Sequence, residues 1–167
     1  WIPDEMRGQQ ALDYFKAVHQ TYVRECAQNK TLVTPCIENS DFVRAERLGT
    51  CGTVLTVEGG AVLGGNLDNI PYLASCGVRM LTLTWNGTCE FGDGAMVTHP
   101  KGLTKFGRKA IPKLEQQRIV VDISHASEPL FYDAAEIASK PLVASHSNAR
   151  AVCNHPRNLT NEQVQII

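Results

Sequence analysis

The sequence predicts an α/β protein built on a parallel sheet, and the favoured architecture is a (β/α)₈ (TIM) barrel of which about half is present. Helix-like and strand-like segments alternate along the chain, and the strand-like runs are apolar without alternation, as in 119–121. Such strands are buried on both faces, which is typical of parallel sheets covered by helices. An open doubly wound sheet also fits this order. Four βα units occupy about 120 residues, so eight would need roughly 250, a usual barrel size.

The first third of the chain predicts two helices and a strand. Residues 4–28 place apolar side chains at helical spacing. Ser40 is positioned to cap a second helix over 41–48, and Gly49 is positioned to end it. The segment 53–57 is rich in β-branched residues and predicts a strand.

The rest of the chain continues the alternation. Gly77 is expected to end a short helix. Pro112 lies inside a later helix and should kink or shorten it, because proline lacks a backbone N–H and its ring clashes with the preceding turn. The predicted strands are 78–84, 118–123 and 141–145, and the predicted helices cover 67–75, 103–114, 130–137 and a segment that begins near 161.

Composition indicates an ordinary globular chain, with 43% hydrophobic and 20% charged residues. The net charge of −1 gives no electrostatic reason to bind nucleic acid or an anionic membrane. No apolar run approaches the roughly 18 residues that suggest a membrane-spanning helix, so no transmembrane segment is predicted.

Cysteine and glycosylation patterns bear on the compartment. The six cysteines form no CxxC pair, which argues against a structural zinc finger and favours free thiols. One or two disulfides stay open for an exported parent protein. Glycans on two of the three sequons, Asn86 and Asn158 but not Asn29, would obstruct the site described below. A cytoplasmic location in a bacterium is therefore favoured, with an exported form as the alternative.

Both ends of the sequence look severed, since it opens at Trp1 and stops at 165–167 inside a predicted helix. We therefore expect residues 1–167 to be a partial catalytic barrel domain that lacks the first strand and the last strands. Half a barrel leaves open sheet edges, so the isolated polypeptide is expected to be poorly soluble and inactive.

Residues of types that commonly bind metals follow three of the predicted strands: Glu58, His125 and His146. The carboxyl ends of parallel strands share one edge of a sheet, where functional residues project. Imidazole and carboxylate suit zinc, and a carboxylate can bridge two ions. Each residue alone is more often structural, so the hypothesis depends on their convergence. Asp122 is a candidate to orient a ligand histidine by hydrogen bonding.

At these residues the sequence resembles the membrane (renal) dipeptidase family, peptidase family M19, and its bacterial-type members in particular. The resemblance runs from about 54 to 160 in the family's order. The matching stretches are 57–60, 77–86, 102–107, 121–127, 145–149 and 157–158.

The resemblance implies a (β/α)₈ barrel of the metal-dependent hydrolase type with two zinc ions. It also implies hydrolysis of dipeptides by a metal-bridging hydroxide. Glu58 would be the catalytic carboxylate that bridges both ions, and His125 and His146 would bind one of them. Arg157 would bind the free carboxylate of the substrate, which its planar fork can grip with two hydrogen bonds. A homodimer is compatible with the resemblance.

The sequence departs from the family pattern in several places. It contains no His-x-Asp pair, which the family carries on its first strand, and a later aspartate would lie past 167. Trp85 stands where mammalian members have a histidine that contacts substrate, so substrate range is open. Cys153 matches a cysteine whose disulfide partner would also lie past 167. Two alternatives remain: a related barrel amidohydrolase acting on N-acyl amino acids or other small amides, and a catalytically degenerate barrel used for binding.

Overall fold

Six α-helices and seven short strands alternate along residues 1–167, all of which the computed structural model describes. In chain order they are α1 (Gly8–Gln28), β1 (Val33–Pro35), α2 (Asn39–Leu48), β2 (Cys51–Thr53), β3 (Leu55–Glu58), α3 (Asn69–Ser75), β4 (Val78–Thr82), β5 (Thr88–Cys89), β6 (Gly92–Asp93), α4 (Lys105–Gln116), β7 (Val120–Asp122), α5 (Glu128–Ile137) and α6 (Asn161–Ile166). A 3₁₀ turn (Gly60–Leu63) follows β3.

The central sheet is parallel and adds its strands in chain order. β3 pairs with β4, β4 pairs with β7, and Val143 extends the sheet through a parallel bridge to Asp122. A doubly wound sheet would reverse its strand order at a switch point, whereas a barrel adds each strand beside the last. The register places Glu58 opposite Thr82 and Thr82 opposite Asp122, so the carboxyl ends of the strands are level.

Several strand predictions need correction. The single strand predicted over 53–57 is two strands, β2 and β3. β2 pairs with β1, a strand that the sequence did not predict, whereas β3 pairs with β4. The strand predicted over 141–145 is wrong as an extended element, because only Val143 is bridged. The strands over 78–84 and 118–123 are shorter than predicted.

The helix predictions are mostly confirmed, with two errors at individual residues. Ser40 does not cap α2: Glu38 holds the cap position, and Asp41 Oδ2 accepts from the Glu38 backbone N–H at 3.0 Å. Gly49 does end that helix, in a left-handed conformation. Pro112 does not shorten α4, which runs unbroken from Lys105 to Gln116. Burial of its apolar face offsets a proline cost of about 3 kcal/mol.

The core lies between the sheet and its covering helices. It forms one cluster of 25 buried residues, to which Val57, Leu81 and Val121 contribute from the strands. Leu114 and Leu130 contribute from α4 and α5. This packing holds the strands rigidly, so the side chains at their carboxyl ends are held in fixed relative positions. None of the helices has the length and apolar character needed to cross a membrane.

Candidate metal centre

Glu58, His125 and His146 meet at the carboxyl edge of the sheet. His125 Nε2 lies 2.8 Å from Glu58 Oε1, and His146 Nε2 lies 3.2 Å from the same oxygen. The two Nε2 atoms are 2.9 Å apart. Ligands bonded at about 2.1 Å around a tetrahedral zinc would lie roughly 3.4 Å from one another. The three atoms therefore form a triangle of nearly the size that one ion requires.

The ring of His125 presents an unprotonated nitrogen to this triangle. Its Nδ1–H donates to Asn86 Oδ1 at 3.0 Å, which leaves the lone pair on Nε2. Burial, with the nearby charge of Arg157, lowers the pKa of His125 to about 4 despite the attraction of Glu58. The imidazole is therefore neutral near pH 7, which is the form that binds metals.

A relay of hydrogen bonds fixes His146 in the same tautomer. The Ser145 hydroxyl donates to Asp122 Oδ2 at 2.6 Å, so its oxygen is free to accept a hydrogen bond. His146 Nδ1–H donates to that oxygen at 2.7 Å, which leaves the lone pair on Nε2. Asp122 thus acts on His146 through one intervening hydroxyl rather than by direct contact.

The donor set fits a cation. Two imidazole lone pairs and a carboxylate oxygen face one another at about 3 Å with no proton among them, an arrangement that is repulsive unless a positive charge lies between them. One ligand atom from each of the three residues lies within 4.8 Å of the other two, so the group could hold a metal ion. Neutral nitrogen with carboxylate oxygen is a ligand set that suits zinc.

His125 adopts a backbone conformation that the sequence did not signal. Its φ is +67°, in the left-handed region that side chains other than glycine rarely occupy. Its carbonyl oxygen accepts from the Ala95 backbone N–H at 2.7 Å, which holds the turn after β7. This turn directs the imidazole toward Glu58, and strained residues of this kind concentrate at functional sites.

Asp122 is the buried anchor of this region. Its carboxylate accepts from the Thr82 and Ser145 hydroxyls, each at 2.6 Å, and from the Ser124 and Ser145 backbone N–H groups, each at 3.0 Å. Burial alone would raise the pKa of Asp122, but these hydrogen bonds outweigh it and lower the pKa below 3.8. The ionised carboxylate therefore stabilises the folded state.

We expect Asp122→Asn to lower the free energy of unfolding by about 2–3 kcal/mol at pH 7, because an amide cannot accept all four hydrogen bonds. A group with a lowered pKa in the folded state contributes its stability above its unfolded pKa, and this contribution is lost as pH falls through the folded value. The difference between wild type and variant should therefore shrink below about pH 4. Denaturant unfolding from pH 3 to pH 7 measures it. Asp68→Asn, at an exposed position, is the control, and an equal effect of both variants would contradict the role of Asp122.

Arg157 and Trp85 lie beside the triangle. The Arg157 Nη2 donates to the His146 carbonyl oxygen at 3.4 Å, and its Nε is buried without a hydrogen-bond partner. The Trp85 ring lies 6.4 Å from the His125 ring and 6.0 Å from the Trp1 ring, measured between centroids. All the residues singled out from the sequence thus lie in one region of the molecule.

Two residues of this region were not assigned a role from the sequence. Asn86 orients His125, and Ser145 links His146 to Asp122. Asn86 follows the predicted strand 78–84 and Ser145 ends the predicted strand 141–145, and both lie in stretches that match the family, but none of these signals names a partner. Polar residues are common there, so their partners required coordinates.

Fold and site together define a class of protein. A parallel barrel whose strand ends carry one carboxylate and two histidines around a common point is typical of metal-dependent hydrolases. The chain belongs to the membrane dipeptidase family, peptidase family M19, whose family model matches residues 1–167. This is a family of metallopeptidases, so membership implies a bound metal.

Individual relatives support the same assignment. An uncharacterised protein from the pqqA 5′ region of Klebsiella pneumoniae is 33% identical over 138 residues, which cover 79% of this chain and 51% of that protein. Dipeptidase 3 of Homo sapiens is 28% identical over 98% of this chain and 33% of its own length. A metallopeptidase from Rhodobacter sphaeroides, liganded with a phosphinate mimic of the dipeptide L-Ala-D-Ala, superposes with a TM-score of 0.85 and 29% identity. That superposition covers 97% of this chain and 48% of the Rhodobacter chain.

These matches confirm the barrel type of the fold, of which residues 1–167 form a part. The chain spans about half the length of the Klebsiella relative and a third of the human one.

Proposed function

We propose that the complete protein is a zinc-dependent dipeptidase and that Glu58, His125 and His146 are metal ligands. The observation that carries the proposal is the triangle of donor atoms, in which both histidines present unprotonated nitrogen to one carboxylate oxygen. Asn86 and Ser145 hold the two rings in the required tautomers. The dipeptide mimic bound by the Rhodobacter relative supports dipeptides as the substrate class.

Glu58 has the geometry to serve two ions. Its Oε1 faces both histidines, while its Oε2 makes no hydrogen bond within residues 1–167. Bound zinc ions would polarise the scissile carbonyl and lower the pKa of water, so that a hydroxide nucleophile is available near pH 7. Glu58 would supply its two oxygens as ligands, and the register of β3, β4 and β7 fixes the backbone position from which its side chain extends.

Arg157 is proposed to bind the free carboxylate of the substrate. Its buried Nε lacks a partner, and a desolvated N–H without an acceptor is costly unless a ligand supplies one. A carboxylate can take two parallel hydrogen bonds from the planar guanidinium. A dipeptide bound there would place its single peptide bond near the triangle, whereas a longer peptide would have no carboxylate at that point. This accounts for a preference for dipeptides.

Trp85 is proposed to form an apolar wall for the substrate. Its half-buried ring stands next to His125 and packs against Trp1. An indole offers contact area rather than an acceptor, so it can orient a substrate side chain by packing. Arg157 and Trp85 together would hold the substrate with its scissile bond near the triangle.

Zinc stoichiometry and substrate range in the complete protein test the proposal. We expect two zinc ions per chain, hydrolysis of Gly-D-Ala, and loss of activity on chelation that zinc restores. Gly-D-Ala amide, which lacks the carboxylate, should be a much poorer substrate. A preference for N-acyl amino acids would instead identify a related amidohydrolase. A folded protein with neither zinc nor turnover would favour a binding role.

A further inference from the structure

The residues on both sides of Arg157 are held by a second arginine. Arg150 Nε donates to the Asn158 carbonyl oxygen at 2.9 Å, and Arg150 Nη2 donates to the Pro156 carbonyl oxygen at 3.3 Å. One guanidinium therefore binds the carbonyl oxygens of the residues that precede and follow Arg157. Neither contact involves the Arg157 side chain, so Arg150 holds the backbone around Arg157 without occupying its guanidinium.

The same guanidinium is tied to the frame of the barrel. Arg150 Nη1 donates to Glu128 Oε2 at 3.2 Å. Glu128 opens α5, the helix that begins three residues after His125. This ion pair connects the loop around Arg157 to the start of α5, close to the strand end that carries the proposed ligand His125.

Backbone hydrogen bonds close this loop on itself. The Arg150 N–H donates to the Leu159 carbonyl oxygen, and the Leu159 N–H donates to the Asn148 carbonyl oxygen, both at 2.8 Å. The Asn158 side-chain amide donates to the Cys153 carbonyl oxygen at 2.8 Å. Segment 148–159 is thus a closed loop with Arg150 at its centre and Arg157 at its rim.

We propose that Arg150 is a positioning residue for substrate specificity: it holds Arg157 where the substrate carboxylate binds. This inference rests on the proposed dipeptidase function for the identity of the carboxylate. Arg150 itself touches neither the metal ligands nor the proposed substrate position. Its planar fork reaches three acceptors at fixed angles, which the single ammonium of lysine cannot reproduce.

The expected signature is a split between KM and kcat. In the complete protein, Arg150→Met and Arg150→Lys should raise KM for Gly-D-Ala by roughly 10- to 100-fold, because a displaced Arg157 loses charge-assisted hydrogen bonds to the substrate carboxylate. The kcat at saturating substrate should change by less than about threefold, and zinc content should be unchanged, since no metal ligand is touched. Arg150→Lys tests the same point if Arg150→Met does not fold.

A double-mutant cycle shows whether Arg150 acts through Arg157. Arg157→Met alone should raise KM at least as much, and adding Arg150→Met to it should have no further effect. Arg108→Met is the matched control. Arg108 lies on α4 and pairs at 2.9 Å with Asp133, which lies on α5 as Glu128 does, and this pair does not involve the loop. We expect it to leave KM unchanged.

Hydrogen exchange gives a readout that is independent of activity. The amides of 157–159 should exchange at least tenfold faster in Arg150→Met than in wild type, with or without zinc, while those of β4 and β7 should not change. Additive effects on KM in the cycle, a fall in zinc content, or unchanged exchange in 157–159 would each overturn the inference. A wild type that does not hydrolyse dipeptides would refute the proposed function alone, and the exchange experiment would still decide whether Arg150 holds the loop.

Discussion

His125→Asn should remove at least one zinc ion per chain and lower kcat/KM for Gly-D-Ala by more than about 100-fold, since loss of mere supporting partners already costs 10–100-fold in such sites. Asparagine is the appropriate replacement because residue 125 has a φ of +67°, which asparagine tolerates better than alanine does. The variant therefore removes the imidazole nitrogen with little added backbone strain. Metal analysis after gel filtration, together with initial rates, measures both effects.

The chain offers a matched control for this variant. His99 is exposed and also left-handed, with a φ of +56°, but it lies outside the triangle. His99→Asn makes the same chemical change in the same backbone conformation, so zinc content and activity should be retained. Equal losses in both variants would mean that the effect comes from folding rather than from metal binding, and would contradict the assignment of His125.

Gly94→Ala should lower the free energy of unfolding by about 3 kcal/mol and weaken zinc binding by roughly 10- to 100-fold. A Cβ at this position would collide with the carbonyl oxygen of Trp85 and lie 2.6 Å from that of Asn86. Both are backbone atoms, which cannot rotate away as a side chain could. The segment must therefore shift, and Asn86 loses its hydrogen bond to His125. Chemical denaturation and zinc titration of the complete protein measure the two effects.

Gly49→Ala separates this collision from a general effect of replacing glycine. Gly49 is left-handed, with a φ of +67°, and a Cβ there would meet nothing within 4 Å. The control should cost only the left-handed conformation of alanine, about 1–2 kcal/mol, and should leave zinc affinity unchanged. If Gly94→Ala bound zinc as tightly as wild type, the proposed role of Asn86 in orienting His125 would be refuted.

The predictable part of the fold follows from local signals. Helical periodicity located α4, whose apolar residues recur on the face that the core buries. It also located α1, although only Ala11, Leu12 and Phe15 of that helix are buried. The strand ends were harder to place. β2 and β3 read as one strand, because nothing local marks the break at Val54, where the chain passes from pairing with β1 to pairing with β4. The cap of α2 was misplaced for a similar reason, since Ser40 and Asp41 both follow the pattern of a helix start.

The sequence predicted which residues belong to the candidate site better than it predicted how they are arranged. The three proposed ligands follow strands in the sequence, and the resemblance to a known family named them together with Arg157 and Trp85. The family is now shown for the whole chain, while the individual roles remain proposals for the variants above to test. The tautomers and the hydrogen bonds of Arg150 to its loop could not be predicted, because each depends on which polar atoms the folded chain brings within hydrogen-bond distance.

The sequence by itself determined the parallel α/β class, the family and the residue types at the strand ends, since these depend on local periodicity and on short motifs. The tertiary structure decided which of those residues meet. It placed Glu58 and His146, 88 positions apart, within 3.2 Å, and linked Asp122 to His146 through the Ser145 hydroxyl. The physical reason is that hydrogen-bond partners are selected by the register and packing of the sheet, a property of the whole core that no local stretch of sequence encodes.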